Sequence, residues 1–309
     1  MGAMPATAPA LLLIAHGTRE PGGAREMDEL VAVLRGRHAG AVGHAWIEDF
    51  VEPDVATAMA ALASDGARRV VTVPLLNFAA GHAKTDVPER LAAARSRGPR
   101  LVSHARVLGL HPALFVLARR RVDAVSAPQG RAREALVVAA SGSSDPDANS
   151  ELAKAARFLA EGTGHRRVEY AFAGVTWPGV DETLRRLASD GTERAVLFSW
   201  SLLAGRLERR VLQTAGRVEE ETGLRVVDAG RFGPDGLVAD AVLDRCHEAL
   251  HGDPRANCDL CAFRVPLPGL ESRVAAPSAG GTGEHAGTAD ASGAYSRTAR
   301  PRPRGASGR

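Results

Sequence analysis

Short, unbroken apolar runs alternate along this chain with longer stretches in which apolar residues recur every three or four positions. "ALLLIA" (Ala10 to Ala15) is a run of the first kind, ended by His16 and Gly17, and reads as a buried strand. The stretch from about Gly23 to Arg37 is of the second kind, with Met27, Leu30, Val31 and Leu34 on one helical face. "GHAWIEDF" predicts a second strand. "EPDVATAMAALASDG" predicts a second helix, with Pro53 near its start and Gly66 just past its end. "RRVVTVPLLN" is a third strand, "KTDVPERLAAARSRG" begins a third helix, "RLVSHARVLG" is a fourth strand and "HPALFVLARRRVDAV" a closing helix. Val- and Leu-rich runs alternating with helices predict a parallel sheet covered on both faces.

The pattern occurs twice. "LLLIAHGTREP" returns as "LVVAASGSSDP", and "LASDGARRVVTVPLLNFAAGH" as "LASDGTERAVLFSWSLLAGRL". His16 aligns with Ser141, Ser64 with Ser189, and Glu52-Pro53 with Trp177-Pro178, all at an offset of 125. One offset shared by three anchors marks an internal duplication. The predicted fold class is therefore α/β: two similar Rossmann-like lobes, each a small parallel sheet with helices on both faces. The first lobe spans 8–128 and the second 133–252. A CxxC segment (253–272) and a tail (273–309) follow.

Composition adjusts this picture in three places. The chain has 309 residues, enough for two lobes with a core each, and with aromatics at only 4% those cores must be built from Leu, Val and Ala. The net charge of +3 sits in the tail: from Arg273 onward six Arg face two acids, so the preceding chain carries −1 and gives no sign of a nucleic-acid partner. The tail lacks apolar periodicity and is expected to be disordered. "ALLLIA" is too short to span a membrane, and the opening "MGAMPATAP" lacks the basic region of a signal peptide. Three cysteines make no disulfide framework, so a cytoplasmic protein is expected.

A parallel sheet places its chemistry at the carboxyl ends of its strands, beside the point where strand order reverses. In the first lobe those ends deliver His16, Glu48 with Glu52 close behind, and His82 with Asp86. Neutral imidazoles and carboxylates bind first-row divalent metals and accept protons near neutral pH. Their spacing matches no closed structural zinc site, so the geometry should be open. The second lobe keeps the scaffold and loses these groups. Ser141 stands for His16, the Glu48 position falls near Ala173, Trp177 replaces Glu52, and Arg206 takes the place of His82 after one deletion. Residues a duplicated scaffold can do without point to function. Asp86 could equally cap a helix and Glu52 start one. His111, before Pro112, reads as a helix start, and His44 and His104 as strand or loop residues. Ser141 lies in no GxSxG elbow and has no evident base. No Walker-type loop or GxGxxG is present, so no nucleotide cofactor is expected.

At this point the motifs carry a resemblance. "AHGTR", "AWIEDFVEP", "VPLLNFAAGHAKTDVP" and "VLGLHP" together resemble the sirohydrochlorin chelatase family, the class II tetrapyrrole chelatases of siroheme and cobalamin synthesis. The resemblance covers the first lobe nearly end to end and the second as a degenerate copy. It implies chelatase-type lobes with the tetrapyrrole between them, insertion of Co²⁺ or Fe²⁺ without ATP, and active-site histidines at His16 and His82 with a carboxylate at Glu48. Two histidines and a carboxylate could hold an ion weakly and take up two pyrrole protons, where four thiolates would trap it. Arg19, Lys84 and Arg206 are the cations placed to meet an acidic macrocycle. Cys258 and Cys261, with Cys246 upstream, leave three arrangements open: an Fe–S cluster or other metal shared across a homodimer, a metal relay, or inert thiols. The competing functions are a chelatase for another tetrapyrrole and a Co/Ni delivery protein without chelatase activity.

Overall fold

The computed structural model describes residues 8–48, 51–165 and 167–252. The first sheet contains β1 (Ala10–Ala15), β2 (Val42–Trp46), β3 (Arg69–Pro74) and β4 (Leu101–His104), in the order β2-β1-β3-β4 and parallel throughout. The second contains β5 (Glu134–Ala140), β6 (Arg167–Phe172), β7 (Arg194–Ser199) and β8 (Arg225–Asp228), in the equivalent order β6-β5-β7-β8. In each sheet the chain steps from the central strand to one side, then crosses to the other. The switch points are therefore β1/β3 and β5/β7.

β1 is buried along its whole length. Leu11 and Leu13 pack on one face, with Leu12 and Ile14 on the other, which is why its apolar run does not alternate. Helices α2 (Val55–Ser64) and α3 (Val87–Ala94) cover the Leu12 face through Met59, Leu62, Val87 and Leu91. Helix α1 (Pro21–Arg35) covers the Leu11 face through Met27, Leu30 and Leu34. It begins two residues before the sequence suggests, because Pro21 is suited to a first helical position. In the second half, α6 (Val180–Ser189) and α7 (Arg206–Thr222) form the outer layer on Ala135, Val137 and Ala139.

The remaining helices, α4 (Pro112–Val125), α5 (Pro146–Thr163) and α8 (Gly236–His251), join α1 between the two sheets in one continuous apolar core. That core runs from Leu11 and Leu13 through Leu117 and Val242 to Leu136 and Val138. Here the halves exchange elements: α8 packs on β3 and β4, and α4 packs on β7. Boundaries drawn along the sequence do not anticipate this exchange, because each helix has an apolar face that either sheet could cover. Among the described residues no helix is long and apolar enough to cross a membrane.

Candidate metal centre

The carboxyl end of β1 is a close approach of two loops. Backbone N–H groups of Ile47 and Glu48 donate to the carbonyls of Ala15 and His16 (2.9 and 3.0 Å), carrying the β1–β2 ladder past both strands. Gly17, at φ +110°, sits where a Cβ would lie 2.8 Å from that of Glu48. Only glycine supplies both the left-handed backbone and the space. Past β3 the chain makes a π-helical turn, His82–Asp86, before α3. Such turns carry an extra residue and re-aim the side chains they hold.

The result is a cluster. A nitrogen of His16, a nitrogen of His82 and a carboxylate oxygen of Glu48 lie within 4.8 Å of one another. His16 Nε2 is 3.4 Å from Glu48 Oε1, and the imidazole rings stand nearly perpendicular with centroids 4.4 Å apart. His16 is half exposed while Glu48 and His82 are more deeply set, so the cluster opens to one side. Asp86 joins it indirectly: its carboxylate engages His82 Nδ1. The sequence offered Asp86 as a possible cap, but it makes no capping bond. The His-x-x-x-Asp spacing was the signal for the pairing that forms.

The other expected participants fall into place differently. Glu52 accepts from the backbone N–H of Asp54 (3.1 Å), and Asp54 rather than Glu52 caps α2, accepting from Thr57 (2.7 Å). Arg19 is exposed three residues past His16, and Arg206 is exposed at the first position of α7. Lys84 corrects the expectation of a rim cation. Its side chain is only 9% exposed and binds Asp145 (2.7 Å) and Asp147 (3.2 Å) of the second half. Burial disfavours its ammonium, but those two carboxylates outweigh it and hold the pKa above the ordinary lysine value. His111 caps α4 by accepting from Ala113 N–H (3.2 Å). His104 is paired with the Thr72 hydroxyl (2.8 Å), and burial lowers its pKa; burial lowers that of His44 as well. Cys246 is buried in α8, which pushes its thiol up and away from metal ligation. Cys258 and Cys261 lie outside the described residues.

Contacts of three side chains join the loops at the carboxyl edges of the two sheets. They are the Lys84 pairs, the Asn77 amide donating to the Trp200 carbonyl (2.9 Å), and Arg209 with Glu20 (2.7 Å). The duplicated edge differs by one residue from the sequence alignment. Ala173 N–H donates to the Ala140 carbonyl (2.8 Å) as Ile47 N–H does to Ala15, so the counterpart of Glu48 is Gly174, not Ala173. Gly142 approaches Gly174 as Gly17 approaches Glu48.

Fold and cluster together define a bilobal α/β protein with an open site of two histidines and a carboxylate at the switch point of one lobe. The CbiX family model matches residues 10–125 and again 135–249, so this chain belongs to the CbiX family. It is 29% identical over 261 residues to the sirohydrochlorin cobaltochelatase of Priestia megaterium, covering 83% of this chain and 85% of that one. It is 26% identical over 203 residues to the sirohydrochlorin ferrochelatase of Bacillus subtilis, covering 65% and 77%. SirB from Bacillus subtilis with Fe³⁺ shares the fold, with a TM-score of 0.70 and 23% identity over 79% of this chain and 96% of that one.

Proposed function

We propose that this protein inserts Co²⁺ or Fe²⁺ into sirohydrochlorin, without a nucleotide, in the cleft between the carboxyl edges of its two sheets. The observation that carries this reading is the convergence of His16, Glu48 and His82 within 4.8 Å, in a chain whose family relatives are sirohydrochlorin chelatases.

In this reading the metal is a substrate. His16, His82 and Glu48 hold the ion at an open face from which it can be released. The macrocycle replaces these ligands with its four pyrrole nitrogens and gives up two N–H protons. The imidazoles and the Glu48 carboxylate, relieved of the metal, accept those protons and pass them to solvent. Asp86 keeps a proton on His82 Nδ1, so that Nε2 presents the lone pair. A reducing compartment, the cytoplasm, keeps the iron divalent.

The test is to mix purified protein with sirohydrochlorin and each ion and follow the absorption spectrum of the macrocycle. Wild type should convert it. His16→Ala and His82→Ala should fall to the uncatalysed rate while keeping the wild-type melting profile. Full activity in both variants would overturn the assignment. Metal binding with no spectral change in wild type would identify a delivery protein instead.

A further inference from the structure

The second lobe retains its copy of the metal centre as a place in the fold, with different chemistry. Ser141 stands for His16 and Gly174 for Glu48. Arg206 begins α7 as His82 begins its π-helical turn, and Arg210, four residues on, stands for Asp86. Both lobes thus carry an i, i+4 pair at this point, an imidazole with a carboxylate in one and two guanidiniums in the other. Every metal ligand is gone, and two fixed positive charges have come in.

A hollow adjoins this place, with Gly174 and Arg210 in its wall but neither Ser141 nor Arg206. A cavity of about 260 Å³ lies between Gly174, Thr176, the start of α6 and the α7 side chains Arg210, Thr214 and Arg217. The Arg210 guanidinium comes within 3.5 Å of where a Cβ at Gly174 would be, so it stands over the position the lost carboxylate would occupy. Arg206, Arg210, Thr214 and Arg217 form one stripe along α7. Among the described residues none of these three arginines is in an ion pair, although their neighbour Arg209 pairs with Glu20. Like charges at i, i+4 destabilise a bare helix, so a ligand of opposite charge is the natural complement. The one acid in the wall, Asp181, lies in the first turn of α6, where the helix dipole favours it. Val175 and Trp177, 72% and 76% exposed, belong to the same β6–α6 loop and are among the few large apolar side chains left in solvent. The Arg209–Glu20 pair sets α7 against the β1–α1 loop, so the stripe starts beside the wall that carries His16.

We infer that the second lobe has converted its copy of the metal centre into a carboxylate-binding site, and that this site takes the acidic rim of the tetrapyrrole while the first lobe holds the metal. Arg210 and Arg217 bind peripheral carboxylates, for which the planar guanidinium is suited. The Val175–Trp177 loop meets the apolar edge of the ring. The inference rests on the proposed function, and its test is metal-free so that the two can fail separately.

Sirohydrochlorin binding without metal is read from quenching of the protein's tryptophan fluorescence. In the Arg210→Ala/Arg217→Ala double variant, Kd should rise about tenfold or more for two lost charge-assisted contacts, with partial recovery in Arg210→Lys. With metal added, the arginine variant should show a raised KM for the tetrapyrrole and an unchanged KM for Co²⁺. Unchanged tetrapyrrole affinity in the double variant overturns the inference. Citrate that binds through Arg210 without competing with sirohydrochlorin also overturns it, by making the pocket a separate anion site. Arginine-dependent binding in a wild type that never inserts metal upholds this site and overturns the chelatase reading alone.

Discussion

At the level of single residues, the proposed metal centre depends on groups outside its set of candidate ligands. Asp86 fixes one nitrogen of His82, and carboxylates behind metal-binding histidines typically contribute 10–100-fold to affinity or activity. Asp86→Asn should therefore lower Co²⁺ affinity by about 10–100-fold, less than loss of His82 itself, as measured by titration calorimetry. Gly17 works through space and backbone. Gly17→Ala would place a methyl against Glu48 and require a left-handed alanine, so stability should fall by about 1–3 kcal/mol in urea melts. Insertion activity should fall with it, because Glu48 must move.

At the level of elements, the π-helical turn joins a site to a packing face. Val87 and Leu91 bind α3 to the sheet, and His82 points to the centre from the turn just before it. In a regular α-helix one residue turns about 100°. Deleting Ala83 should make the turn regular and swing His82 away while α3 stays seated. The expected result is near-native circular dichroism with no insertion activity. Retained activity would mean that the turn does not aim the histidine. The equivalent turn in the second lobe keeps its length, since Val211 follows Arg206 as Val87 follows His82, yet there α7 runs regularly from Arg206.

At the level of the molecule, Lys84 ties the lobes together. Replacing it with Met leaves Asp145 and Asp147 facing each other without a cation, and breaking a buried pair costs about 3–5 kcal/mol. Its pKa is raised in the fold, so its contribution is complete below the ordinary lysine value of about 10.4 and is lost as pH climbs through the higher folded value. The melting-temperature gap between wild type and Lys84→Met should therefore be constant from neutral to mildly alkaline pH. It should narrow only at strongly alkaline pH. A gap that closes near neutrality would show that another group controls it.

The strands, most helices and the duplication follow from local patterns. A buried strand needs a continuous apolar run and a surface helix an apolar stripe, and both are written in consecutive residues. His16, Glu48 and His82 are legible because each follows a strand of one sheet and each is missing from the copy. The roles of Lys84, Asp86 and Gly174 were not legible in the same way. Lys84 meets carboxylates some sixty residues away, and Gly174 takes its place by hydrogen-bond register rather than by alignment. The exchange of α4 and α8 is also a packing decision between two equally apolar faces. The sequence by itself determined which segments are strand or helix and which side chains reach the sheet edge, because those depend on neighbours along the chain. Only the tertiary structure decided which of those side chains meet, since burial and charge pairing act between residues that the chain alone keeps far apart.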